Sequence, residues 1–119
     1  MIFRVTDNIV ISEVKPFINV SSNQVDELTK VVDEYIEDGF GFISTRLRES
    51  EISIDPTVWI YVFDKLPNIK SFALVTDSLV GKENFVGLEK PVIESLREGF
   101  HADVFPGVEE AYKWMKKQL

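Results

Sequence analysis

The chain has 119 residues, with no cysteine and only one histidine, His101. Without thiols there are no disulfides, no thiolate catalysis and no cysteine-based metal sites. A lone histidine needs partner groups to act as a general base or metal ligand, and its sequence neighbourhood offers only Asp103. No spacing of carboxylates imitates a calcium loop or a helical zinc pair. We therefore expect His101 to be a structural strand residue, and we expect no metal and no cofactor.

Long hydrophobic runs and clustered basic residues are also missing. No apolar run approaches the ~18 residues of a membrane span, and the first residues lack the basic-then-apolar pattern of a signal peptide. The formal net charge is −7, and the longest basic cluster is only Lys113, Lys116 and Lys117. Phosphate backbones need clustered Lys and Arg. We predict a cytoplasmic protein without a transmembrane segment that binds neither nucleic acid nor an anionic membrane.

What is present is the composition of an ordinary folded domain. Hydrophobic residues make up 45% of the chain and charged residues 28%, which is typical of globular proteins. The length matches one domain, and no repeat, linker or low-complexity segment divides it. We therefore predict a single domain over residues 1–119.

The most informative stretch is the run 69–76, which is mostly apolar and ends in small polar residues. A strand buried on both faces has this pattern, because alternation disappears when helices cover both sides of a sheet. We predict that this run is the central strand. Thr76, Asp77 and Ser78 would then lie at its carboxyl end, where open α/β sheets most often place a site.

The other elements are predicted from periodicity and from turn residues. Asp7-Asn8 suits a tight turn between two strands of an edge hairpin. Ser21 and Gln24 form a capping box before an amphipathic helix, which Gly39 should end with a positive φ. Pro91 should interrupt the helix over 79–90 and start a second helical piece. The predicted strands are 2–5, 9–14, 40–47, 69–76 and 100–105, and the helices lie at 21–38, 56–66, 79–90, 91–98 and 107–119.

With 79–90 and 91–98 counted as one interrupted helical unit, the order is ββαβαβαβα, for which we expect right-handed crossovers and helices on both faces of the sheet. Two segments of the chain, together with this order of elements, resemble the small STAS-like proteins, which are named for the sporulation anti-sigma-factor antagonist. One is the strand over 72–78. The other is residues 103–115, where Val-Phe closes the last strand and a short turn leads to Glu-Glu-Ala and an aromatic–Trp pair on the last helix. The resemblance implies an α/β fold of the STAS-like type, a mixed sheet with an antiparallel edge strand.

The resemblance also implies a function. Antagonists of this type bind a kinase-like anti-sigma partner, and they are switched by phosphorylation of a Ser or Thr in an Asp-Ser-Ser/Thr-Gly motif at the second helix. The matching region is 53–57, so Ser53 and Thr57 are the phosphorylation candidates. This region lacks the glycine and has Pro56 where the motif has none. Other members of the group resemble lipid carriers in topology.

Three further groups of residues are candidates for binding. Asp77 and Ser78 either contact a ligand at a helix N-terminus or cap that helix, and the cap is favoured. Trp59 and Phe63 belong to a helix that is apolar nearly all round, so they form core, a partner surface or the wall of a lipid pocket shared with Phe85 and Leu88. The polar patch Ser44, Thr45, Arg46 and Arg48 follows a strand and either binds an anion or is a solvated strand end, and we expect the solvated strand end.

No phosphate loop, nucleophile elbow or acid/base pair occurs in the sequence, so we predict that the protein is not an enzyme. An enzymatic role would require Asp77 and His101 to converge. The leading prediction is a non-catalytic STAS-like domain that binds another protein. The alternative is a carrier or sensor of a small apolar, lipid-like ligand held between the sheet and the helices. The oligomeric state stays open.

Overall fold

The structure is a computed structural model that describes residues 2–13, 19–20, 22–46, 53–54 and 57–119. The strands are β1 (Ile2–Thr6), β2 (Ile9–Glu13), β3 (Asn19–Val20), β4 (Phe40–Thr45), β5 (Ser53–Ile54), β6 (Ile69–Val75) and β7 (His101–Phe105). The helices are α1 (Ser22–Tyr35), α2 (Val58–Lys65), α3 (Leu79–Asn84), a π-helix (Phe85–Glu89), α4 (Lys90–Leu96) and α5 (Val108–Gln118). The fold is α/β.

Five strands form one mixed sheet in the order β1-β2-β4-β6-β7. β1 and β2 pair antiparallel, and every other pair is parallel. Asp7 and Asn8 turn the hairpin with φ values of 51° and 61°, because these side chains tolerate the left-handed region that a two-residue hairpin loop requires. The predicted antiparallel edge strand is therefore confirmed.

Two details of the predicted sheet were wrong. The strand over 69–75 is not central, since β4 occupies the middle position and β6 lies between β4 and β7. Both strands are covered on both faces, and burial alone cannot rank them. β3 and β5 were not predicted, and they pair in parallel as a separate two-stranded sheet.

The two faces of the sheet carry different helices. Each parallel connection advances one position in the same direction, so right-handed crossovers place the connecting helices on one face. On that face Val10, Phe42 and Phe72 contact side chains of α1, α2, the π-helix and α4. On the other face Ile43 and Ala73 pack against α5, where Ala111 and Met115 are buried. Helices thus lie on both faces.

The predicted end of α1 at Gly39 can be compared with the structure, whereas the predicted starts of α1 and α2 fall outside the described residues. Gly39 does not adopt a positive φ, and α1 ends four residues earlier, at Tyr35. A Cβ on Gly39 would lie 2.7 Å from the Cε of Lys70, so this position instead favours a small residue because a side chain crosses it. The capping residue Ser21 lies outside the described residues, as do Asp55 and Pro56.

Pro91 does not interrupt the helix, contrary to the prediction. The chain stays helical from Leu79 to Leu96, with the π-helix between α3 and α4. Pro91 is the second residue of α4 and follows directly on the π-helix, where the hydrogen-bond pattern of the helix changes. None of the described helices is long and apolar enough to cross a bilayer.

Candidate functional site

A buried ion pair lies on the face of the sheet that α1, α2, the π-helix and α4 cover. Arg46 Nη1 donates to Glu89 Oε2 at 2.8 Å, and Nη2 donates to Oε1 at 3.1 Å. The side chains are only 5% and 7% exposed. Trp59 Nε1 donates to Glu89 Oε1 at 2.9 Å, and Arg46 Nε donates to Ser44 Oγ at 3.1 Å. Four side chains from three distant parts of the sequence therefore form one network. We call it the Arg46–Glu89 cluster; its members are Ser44, Arg46, Trp59 and Glu89.

Strand β4 positions the arginine. Arg46 directly follows β4, and its N–H donates to Val75 O at 2.8 Å, which continues the ladder with β6 for one more residue. Side chains alternate along a strand, so Arg46 faces the same side as Phe42 and Ser44. The guanidinium carbon lies 5.6 Å from the centre of the Phe72 ring. The cation is thus held between an aromatic face and a carboxylate.

The π-helix positions the glutamate. Gly81, Phe85, Glu89 and Ile93 are all buried, at intervals of four residues. In an α-helix a four-residue step overshoots a full turn by about 40°, so four such residues would drift around the helix. The π turn is wider, as the hydrogen bond from Lys90 N–H to Phe85 O five residues earlier shows. A four-residue step there falls short of a turn and cancels the drift, which aims Glu89 into the core.

Burial and pairing act on Glu89 in opposite directions. Burial alone raises the pKa of this carboxyl group, but the charge of Arg46 and the hydrogen bonds from Arg46 and Trp59 outweigh it and hold the pKa below its usual value. The glutamate is therefore ionised at neutral pH and the pair carries no net charge. Each charge in the pair satisfies the other.

A small cavity adjoins this cluster, between α1, α2 and the sheet. Its volume is about 40 Å³, and it is partly open to solvent. Ser12 contributes a hydroxyl that is fully buried and has no hydrogen-bond partner within the described part of the chain. The described residues that line it are Ser12, Gln24, Val25, Leu28, Phe42, Ser44, Arg46, Val58, Trp59, Val62 and Phe72.

The polar patch after β4 was predicted wrongly. Ser44, Thr45 and Arg46 are 3%, 8% and 4% exposed, so this is a buried strand end and not a solvated one. Arg48 lies outside the described residues. A signal for the buried partner existed in the sequence: Glu89 falls in step with Phe85 and Ile93, at the spacing of a buried helix face.

Asp77 and Ser78 follow β6 as expected, at the carboxyl end of the sheet. Ser78 Oγ accepts a hydrogen bond from Gly81 N–H at 3.1 Å, so Ser78 caps α3. Asp77 is exposed. Both line an open groove of about 320 Å³ with Lys82 and the end of β7. The preferred interpretation as a helix cap is confirmed for Ser78.

The aromatic candidates lie in two different environments. Trp59 and Phe85 are buried, and both pack on Phe72, with ring centres 4.7 and 6.0 Å away. Phe63 is half-buried beneath the guanidinium of Arg97, whose central carbon lies 4.2 Å from the ring centre. Trp59 borders the cavity, whereas Phe63 and Phe85 are not among its described lining residues. Leu88, the fourth residue of the alternative lipid pocket, is 61% exposed, so of these four residues only Trp59 lines the cavity described above.

Asp77 and His101 do not converge. β6 and β7 are parallel, and Ser71 is paired with His101. Asp77 follows the far end of β6, so about 20 Å of strand separates the two positions at ~3.3 Å per residue. Within the described ranges, no three His, Asp or Glu side chains group as a metal site would require.

The phosphorylation candidates lie at the start of the second crossover. Ser53 belongs to the short strand β5. Thr57 is exposed and directly precedes α2.

Searches of family models, curated proteins and solved structures find nothing that matches this chain.

Proposed function

We propose that the chain is a STAS-like domain of the cytoplasm that acts without catalysis, by binding another protein. The mixed sheet with its antiparallel edge strand and helices on both faces is compatible with that fold. The sequence resemblance over 72–78 and 103–115 supports the same assignment. The proposed binding surface lies on one helical segment, residues 79–89.

The helical segment over 79–89 exposes four aliphatic side chains and buries one carboxylate. Its large aliphatic residues Leu79, Val80, Val86 and Leu88 are 71%, 55%, 50% and 61% exposed, while Glu89 is buried. A helix on a sheet normally turns its aliphatic residues inward and its carboxylates outward. We call these four exposed side chains the aliphatic face, and their exposure is the observation that carries the proposal.

The exposure of the aliphatic face has a structural cause. Phe85, Glu89 and Ile93 already occupy the inward side, so folding gives the four aliphatic residues no place in the core. Covering exposed aliphatic groups with a second surface removes them from water and lowers the free energy. A protein partner is therefore the natural cover for this face.

Charge narrows the partner. The chain carries a net charge of −7, so two copies repel each other and a positively charged protein is attracted. We therefore propose a partner that presents an apolar patch rimmed by Lys or Arg. Its association rate should fall as salt is raised, because the attraction between net charges is screened.

The test compares retention of proteins by three immobilised forms: the wild type, Leu88→Ser and Ile60→Ser. Ile60 is 56% exposed but lies on α2, away from the aliphatic face, so it is the matched control. We expect a protein retained by the wild type and by Ile60→Ser but lost with Leu88→Ser. The same ranking should hold when the captured protein is purified and its dissociation constant is measured at two salt concentrations.

Equal affinity for the wild type and Leu88→Ser would refute the proposed surface. Concentration-dependent dimerisation of the wild type that Leu88→Ser abolishes would also refute it, because the occupant would then be a second copy. Sedimentation of the purified chain distinguishes this outcome.

The resemblance also suggests a switch. Thr57, one of the two phosphorylation candidates, is exposed directly before α2. Its modification and that of Ser53 stay predictions, tested by mass spectrometry of the protein isolated from cells.

A second candidate function is the binding of a small ligand, and the cavity beside the Arg46–Glu89 cluster favours it. The volume of about 40 Å³ limits what can enter, since an apolar cavity known to bind benzene has a volume of roughly 150 Å³. A whole lipid chain does not fit this space. The ligand would be small, or only one end of it would be bound.

A further inference from the structure

The cavity between α1, α2 and the sheet has a polar end and apolar walls. Ser12 and Ser44 are register partners on neighbouring parallel strands, and both line the cavity. Their side chains leave the sheet on the same face. The walls are built mainly by Leu28, Phe42 and Val62 with their aliphatic and aromatic neighbours. Such a site suits a molecule with one polar group and a small apolar body.

Ser12 is the part of this site that the fold leaves unused. It is fully buried, and its Oγ has no hydrogen-bond partner in the part of the chain that the structure describes. Buried hydroxyl groups are nearly always hydrogen-bonded, because losing water without a replacement costs free energy. A group entering the cavity can supply that bond.

The ion pair determines the charge of the occupant. Arg46 lines the cavity, but two of its N–H groups bond the Glu89 carboxylate at 2.8 and 3.1 Å. The positive charge is thus already neutralised inside the core. A carboxylate or ammonium group in the cavity would be a third buried charge without a counter-charge, which is strongly unfavourable. A neutral group meets no such penalty.

The volume determines the size. About 40 Å³ is available, and by the same measure a water molecule needs roughly 10–15 Å³. Only a few heavy atoms fit, and any longer part must extend through the open side. Gln24, half-buried on α1, is one of the lining residues.

We propose that this cavity binds the end of a small neutral molecule, such as a primary amide or alcohol, through a hydrogen bond to Ser12 Oγ. The inference rests on the ligand-binding candidate above and specifies its chemistry. It is independent of the aliphatic face, which belongs to a different helix.

The test uses two compounds of equal shape, propionamide and propionate, titrated into the ¹⁵N-labelled protein and followed by NMR. Propionamide should shift the resonances of residues that line the cavity, and propionate should bind at least about tenfold more weakly. Ser12→Ala should weaken propionamide binding about tenfold, the equivalent of one hydrogen bond. Xenon, which has no polar group, should bind both forms equally.

Ser71→Ala is the matched control. Ser71 is likewise fully buried with an unpartnered hydroxyl. Its Oγ faces the other side of the sheet, where it would lie 3.1 Å from a Cβ on Gly41, beside Met115. Removing this hydroxyl should leave propionamide affinity unchanged.

Several results would overturn the inference. Tighter binding of propionate would refute the neutral class, and equal propionamide affinity in Ser12→Ala would refute the role of Ser12. Xenon binding without propionamide binding would refute the inference while leaving an accessible cavity and the ligand-binding candidate. If propionamide, propionate and xenon all fail to bind, both the inference and the ligand-binding candidate are refuted. The comparison of the two compounds on the wild type needs no variant, so it decides even if Ser12→Ala fails to fold.

Discussion

The Arg46–Glu89 pair should be one of the most sensitive points in the fold. In Glu89→Gln the amide oxygen can still accept from Trp59 Nε1, but Arg46 loses its counter-charge at a side-chain exposure of 5%. Breaking a buried pair by removing one charge typically costs ~3–5 kcal/mol. We expect a loss near the lower end, about 3 kcal/mol, because the shape and one hydrogen bond are preserved.

The assay is urea unfolding followed by far-UV circular dichroism. Glu109→Gln is the control, since the Glu109–Lys113 pair spans 3.2 Å but is 83% and 73% exposed, and such pairs contribute ~0–1 kcal/mol. The double variant Arg46→Met with Glu89→Met should recover most of the loss, because a buried pair replaced by apolar groups of similar size is often neutral. A cost for Glu89→Gln that matches that of Glu109→Gln would refute the claim that the pair is buried.

Two other predictions follow from the structure. Gly41→Ala should destabilise the protein by ~1–3 kcal/mol in the same assay, because the new Cβ would lie 2.3 Å from Met115 Sδ; Gly87→Ala, with nothing within 4 Å of the new Cβ, should cost little, and equal effects would contradict the packing described here. Acid should destabilise the fold in part through Glu89: its folded pKa is held below the unfolded value, so its contribution is present above the unfolded pKa, about 4.3, and is lost as pH falls through the folded pKa. Unfolding measured between pH 7 and pH 3 should therefore show a smaller loss in the double Met variant than in the wild type, and identical profiles would contradict this.

Elements with local signals were predictable from the sequence. Asp7-Asn8 specified the hairpin because both residues tolerate positive φ. The apolar spacing of α1 and the charged ends of α5 were sufficient to predict both helices. The last helix was predicted over 107–119, and α5 spans Val108–Gln118. In each case the deciding interactions lie within a few residues along the chain.

The candidate site was less predictable because its interactions are not local. Arg46 is polar and follows a strand, and nothing near it in sequence indicates a carboxylate 43 residues away. A proline normally ends a helix, but Pro91 follows directly on the π-helix and the chain stays helical through it. The unpartnered hydroxyl of Ser12 depends on how two parallel strands and two helices meet. The sequence spacing indicates that Glu89 is buried, but the pairing of Arg46 with Glu89 and the position of Ser12 depend on the three-dimensional arrangement.

The most direct test of the proposed aliphatic face is the unfolding free energy of Leu88→Ser. If Leu88 serves a partner and not the core, its replacement should change the stability of the isolated protein by no more than about 0.5 kcal/mol, while protein capture is lost. A loss of 2 kcal/mol or more, as expected for a buried leucine, would contradict the account, because the exposed aliphatic residues would then belong to the fold itself.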